Sequence, residues 1–116
     1  MTGQGRSVRL KKRADFLKAA SAGRKAPMPG LVLQSRARED DGAARIGFTV
    51  TKKVGNAVVR NRTRRRLREA MRIVEREGAL GAVDVVLIGR DGTRRRDFAA
   101  LLDDVRRALR KTGARP

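Results

Sequence analysis

Two stretches of the chain alternate between large apolar and small or polar residues. In Leu31–Ser35, Leu31 and Leu33 fall on one side of an extended backbone and Val32 and Gln34 on the other. Arg45–Thr51 repeats the pattern, with Ile46, Phe48 and Val50 against Gly47, Thr49 and Thr51. Both predict strands with one greasy face and one small or polar face. The polar segment "REDDGAA" between them predicts a loop, and with it a hairpin connection. Asp84–Gly89 is continuously apolar after its first residue, the mark of an interior strand.

Three other segments carry the helical period. Arg13–Ser21 predicts a short helix with Phe16, Leu17, Ala19 and Ala20, ended by Gly23 in a left-handed conformation. Pro27 and Pro29 bar any helix from "APMPG". Asn56 is a candidate N-cap for a long helix to about Glu77, closed by Gly78, with Leu67, Ala70, Met71 and Val74 on one stripe. Asp97 can cap a last helix through Arg110, with Phe98, Leu101, Leu102, Val105 and Leu109 on one side. The predicted order is α-β-β-α-β-α, with room for one more short strand and no internal repeat.

Length adds that this is one domain over residues 1–116, with a single modest core. The Gly-rich, basic residues 1–12 predict a mobile arm. Residues 1–8 and the tail 112–116 are expected to lie outside the ordered domain.

Charge changes the picture more. Thirty Lys+Arg against twelve Asp+Glu give a formal charge of +18, a field that draws polyanions. No apolar run approaches the roughly eighteen residues of a membrane span, and no secretory h-region is visible, so the expectation is a cytoplasmic protein with no membrane partner. The chain has no cysteine and no histidine, which removes thiolate and imidazole metal ligands, Cys nucleophiles and the usual general base. Asp40, Asp41, Asp84, Asp103 and Asp104 are scattered, and no pair is placed to hold two metals. No catalytic and no metal-binding residue is assigned.

The charge is concentrated. Six arginines occupy Arg60–Arg68, with no acid among them. On a helix, Arg60, Asn61, Arg64, Arg65, Arg68 and Arg72 share an arc beside the apolar stripe, so one side suits a core and the other a polyanion. Arginine suits phosphate because its planar fork binds two oxygens and stacks on bases. Glu69, Glu75 and Glu77 are expected to relieve repulsion through pairs along the same helix. "KKVGN" before it, with Lys52, Lys53, Gly55 and Asn56, reads as a phosphate-facing strand-to-helix corner.

"RIGFTVTKKVGNAVVRNRTRRRLREAMR" resembles the signature of the protein subunit of bacterial ribonuclease P, and with "RLKKRADF", "LVLQS", "DVVLIGR" and the last helix the resemblance covers residues 8–111. It implies an α+β fold, an αβββαβα two-layer sandwich with a left-handed βαβ crossover, like the second domain of a small-subunit ribosomal protein. It implies a monomer bound once per ribonuclease P RNA, assisting removal of the 5′ leader from precursor tRNA while the RNA, with Mg²⁺ bound mainly by it, performs the hydrolysis. Carried over by position, Lys52, Asn56, Arg60, Asn61, Arg62, Arg64, Arg65 and Arg68 would contact the catalytic RNA. Phe16, Val32, Gln34, Thr49 and Lys53 would line the leader cleft between the first helix and the sheet. The family usually places aromatics near Ala20 and at Gln34, so Phe16 is left as the aromatic for the leader.

Other readings stay open on the residues alone. A structural ribosomal-type RNA-binding protein shares the basicity but not "KKVGNAVVRNR". A helix-turn-helix DNA binder would need a second helix where strands are predicted. A protein-only nuclease lacks a metal-holding acidic pair. Phe16 as a plain core residue is the alternative to its leader role, and Phe48 and Phe98 are read as core.

Overall fold

A computed structural model describes residues 7–78 and 80–115. The elements run β1 (Val8–Arg9), α1 (Arg13–Ala22), β2 (Arg24–Pro27), β3 (Leu31–Ala37), β4 (Arg45–Val50), a 3₁₀ turn (Lys52–Val54), α2 (Ala57–Arg76), β5 (Val83–Gly89), α3 (Asp91–Arg95) and α4 (Phe98–Lys111). The fold is α+β, as expected. The sheet order is β1-β4-β5-β3-β2.

The continuously apolar β5 takes the centre, antiparallel to β3 and parallel to β4. The hairpin expected between β3 and β4 therefore does not form, because β5 lies between them. Its run Val85–Ile88 is apolar on both faces, which suits the central place where both faces are covered. The hairpin that forms joins β2 to β3. Pro27 ends the edge strand β2, where its missing N–H costs no ladder bond. β4, α2 and β5 make a parallel βαβ unit.

The predicted alternation holds. Leu31, Leu33, Ile46, Val50, Val85 and Leu87 form the main core with Leu67, Ala70, Met71 and Val74 of α2 and Leu101, Val105 and Leu109 of α4. α1 crosses the opposite face, where Leu10, Ala19 and Val86 make a smaller cluster with Phe16 and Ile88.

Several local expectations are corrected. Gly23 ends α1, but with φ −90° rather than left-handed. The need for glycine is close approach, since a Cβ there would lie 2.5 Å from the carbonyl oxygens of Ala19 and Ser35. The basic arm is not mobile throughout: Val8 donates its N–H to the Ala44 carbonyl at 2.8 Å, and Leu10 to Ile46 at 3.0 Å. Residues 1–6 lie outside the described residues. Nor do residues 112–115 fray: Ala114 is buried, and Arg115 donates to the Val74 carbonyl at 3.1 Å.

Candidate RNA-binding interface

Asn56 caps α2 as predicted, its Oδ1 accepting the Val59 N–H at 3.0 Å. Gly55 before it adopts φ +155°, and a Cβ there would sit 2.9 Å from Val59, so glycine is needed to turn the chain from the strand into the helix. Lys52 and Lys53 are exposed in the 3₁₀ turn beside this corner.

The helix divides as its pattern implies. Thr63, Leu67, Ala70, Met71 and Val74 are buried. Asn61, Arg62, Arg65 and Arg68 are exposed, and Arg60 and Arg64 half-buried. Asn61 Oδ1 accepts from Arg64 Nη1 at 3.1 Å, aiming that guanidinium along the surface. Among the described residues, none of Arg60, Arg62, Arg64, Arg65 and Arg68 has a carboxylate partner.

The acids are spent elsewhere. Of the three glutamates expected to screen the helix, only Glu69 does so, pairing with Arg72, which holds its carboxyl below the usual range. Glu75 accepts the N–H and hydroxyl of Ser7 at 2.9 and 3.0 Å. Glu77 takes Arg106 of α4. Tertiary partners outcompete neighbours on the same helix. Arg66 leaves the free set by donating to the Thr93 carbonyl and lying over Phe98.

The face under α1 consists of three cross-strand rows. Arg36–Asp84–Arg45, Gln34–Val86–Gly47 and Val32–Ile88–Thr49 each run across β3, β5 and β4. Phe16 packs onto Gly47, where a Cβ would come within 2.5 Å of its ring. The structure thus gathers Phe16, Gln34 and Thr49 on one side of the sheet, all half-buried. Val32 shares that side but is 2 % exposed, so it is floor rather than contact surface. Lys53 stands beyond the strand end.

Asp84 anchors the first row. Its Oδ1 accepts from Arg45 Nε at 2.7 Å and Arg38 Nη1 at 2.9 Å, and its Oδ2 from Arg45 Nη2 at 2.7 Å and Arg36 Nη2 at 3.3 Å. Burial pushes its carboxyl up, but the bonds from Arg45 and Arg38 outweigh that and hold it below the ordinary range. Arg45 also reaches Asp15 of α1 at 3.3 Å, tying the helix that carries Phe16 to the sheet. Sequence reasoning missed this cluster, since its members lie up to 69 positions apart.

It also missed Phe48. Read as core, it packs against the core only in part, and Arg68 lies 5.8 Å over its ring. Its place at the open end of β4 is not encoded in alternation.

Comparison with known proteins places the chain among close relatives. The family model for ribonuclease P matches residues 5–113. The ribonuclease P protein component of Gluconacetobacter diazotrophicus is 74 % identical over 110 residues, covering 95 % of both chains. That of Ruegeria pomeroyi is 53 % identical, covering 90 % of this chain and 86 % of its own. The RNase P protein of Staphylococcus aureus superposes with a TM-score of 0.76 at 26 % identity, covering 94 % of this chain and 98 % of that one. The RNase P protein of Thermotoga maritima superposes at 0.71 with 28 % identity, covering 85 % and 92 %.

Proposed function

The chain belongs to the ribonuclease P protein family, and from that premise we propose that it binds the catalytic RNA through α2 and the 5′ leader of precursor tRNA under α1. It thereby assists Mg²⁺-dependent removal of the leader without cutting RNA itself. The observation that carries this reading is the set of five arginines on α2 with no carboxylate partner among the described residues, in a chain whose buried acids are all engaged. A bare guanidinium surface repels itself, and phosphates are the counter-charge that relieves it.

Lys52, Asn56, Arg60, Asn61, Arg62, Arg64, Arg65 and Arg68 form the proposed RNA-docking face. Phe16, Gln34, Thr49 and Lys53 offer the leader one half-buried ring, an amide, a hydroxyl and an ammonium, above a floor that includes Val32. With one aromatic in that set, leader affinity rests on charge and shape more than on stacking, which is worth about 1–3 kcal/mol per base.

Among the described residues, the two buried acids are not free to hold a Mg²⁺. Asp84 is filled by three guanidinium groups, and Asp104 by Arg96 and the Gly30 N–H. The proposed task of the chain is to bring two folded polyanions together, its +18 charge offsetting their repulsion. A monomer, one per RNA, suffices for that task.

Reconstitution tests the proposal. Added to bacterial ribonuclease P RNA, the protein should raise precursor tRNA processing at low Mg²⁺, while protein alone leaves the substrate intact. No gain in processing, or cleavage by RNA-free protein, would refute it. A structural ribosomal-type role would give RNA binding without that gain.

A further inference from the structure

The edge of the sheet beside α2 is open. β1 pairs only with Arg45 and Ile46, so among the described residues no strand covers the outer edge of β4 from Gly47 onward. Phe48 sits at this opening. Its neighbours on the same face, Ile46 and Val50, are 5 % and 6 % exposed, yet Phe48 is only half-buried. One side of the ring packs toward the core, and the guanidinium of Arg68 lies 5.8 Å from its centroid.

A groove of about 600 Å³ runs between β1 and α2 with Phe48 in its wall, alongside Arg9, Arg65, Arg68 and Arg72. A second hollow of about 410 Å³ adjoins it on the same Phe48–Arg68 pair and extends round β4 to Gly47 and Phe16. Volumes of this size suit one small-molecule-sized group. The two acids at the groove are already occupied, Glu69 by Arg72 and Glu75 by Ser7. Arg9, Arg65 and Arg68 have no carboxylate partner among the described residues.

An aromatic ring topped by a planar cation and ringed by unpaired guanidiniums has the chemistry of a site for an unpaired nucleotide. The base stacks on the flat platform and the phosphates take the surrounding forks. We propose that this groove is a nucleobase subsite that captures one unpaired nucleotide of the catalytic RNA, stacked against the Phe48–Arg68 pair. The inference rests on the proposed docking of that RNA to α2, and it adds a stacking contact to what is otherwise a phosphate-binding face. The catalytic RNA is the occupant because the groove wall is built from the arginines of its docking helix. A leader strand under α1 would meet Phe16, which lines the second hollow but not the 600 Å³ groove.

Stacking and phosphate contacts separate by salt. Phosphate contacts release counterions and set the slope of log K against log salt, whereas stacking changes affinity without changing that slope. The test measures binding of the full chain to bacterial ribonuclease P RNA, without precursor tRNA, across a salt titration. It compares the wild type with Phe48→Leu, which keeps an apolar group against the core, and Phe48→Tyr, which keeps the ring. Unfolding midpoints identify any loss of fold. Phe48→Leu is expected to bind roughly 5- to 150-fold more weakly with an unchanged slope, and Phe48→Tyr to bind as the wild type does.

Wild-type affinity in a folded Phe48→Leu would overturn the subsite. So would a slope that flattens with the affinity, since the change would then act through the arginines. A parallel titration with leader-bearing precursor tRNA checks the occupant: a Phe48→Leu loss seen only there, with binding to the catalytic RNA alone unchanged, would overturn that assignment. A wild type that fails to bind the RNA at all would instead refute the docking role on which the subsite depends.

Discussion

Replacing Asp84 with Ala removes the anion at the centre of a four-element cluster while leaving its cations in place. The carboxylate is fully buried, and Arg38 beside it has a side chain only 8 % exposed. Arg45 would keep Asp15 and Arg38 would keep Asp40, but Arg36 would have no carboxylate among the described residues, and its Nε is already buried without a partner. Breaking a buried pair by deleting one member costs about 3–5 kcal/mol, because the remaining charge is stranded. Against a domain stability of about 5–15 kcal/mol that is a large fraction.

In urea, with m near 2 kcal/mol/M, the midpoint should fall by roughly 1.5–2.5 M at neutral pH. The pH dependence follows from the depressed carboxyl of Asp84. A group with a lowered folded pKa stabilises above its unfolded value, near 3.9, and that contribution is lost as pH falls through the folded value. The variant should therefore lose less stability than the wild type as pH falls below about 4. A midpoint shift under about 0.5 M, or parallel acid profiles, would refute the view that this network holds the sheet end and α1 together.

Two further substitutions probe separate elements. Gly47→Ala places a methyl 2.5 Å from the Phe16 ring, so the ring must lift from the sheet. Binding of leader-bearing precursor should fall as it does for Phe16→Ala, while mature tRNA binding holds; equal losses for both ligands would return Phe16 to a purely structural role. Asn56→Ala removes the N-cap of α2 and should cost about 0.5–2 kcal/mol by denaturant unfolding, where an unchanged midpoint would mean that the corner is held by other contacts.

The sequence made the faces legible and the neighbours much less so. Alternation placed Ile46, Phe48 and Val50 opposite Gly47 and Thr49 because side-chain direction is a local property of the backbone. The stripe Leu67–Ala70–Met71–Val74 was readable for the same reason. Which strands pair is not local: β5 enters between β3 and β4 through Asp84 opposite Arg36 and Arg45, across 48 and 39 positions. The two-residue β1 leaves no periodic trace, and its hold on β4 comes from backbone bonds. For the candidate interface, the residue types of the arginine face were plain from composition and spacing. That Arg66 belongs to packing and Phe48 to the surface depended on α3 and on where β1 stops.

The most direct measurement is the salt dependence of binding to ribonuclease P RNA for the wild type and for the combined Arg64→Gln, Arg65→Gln, Arg68→Gln variant. Glutamine keeps helix propensity and removes three charges. If each of these arginines neutralises a phosphate, the slope of log K against log salt should become shallower by about 2–3, with far weaker binding at low salt. A variant whose slope matches the wild type would mean that the exposed arginines of α2 do not meet the RNA.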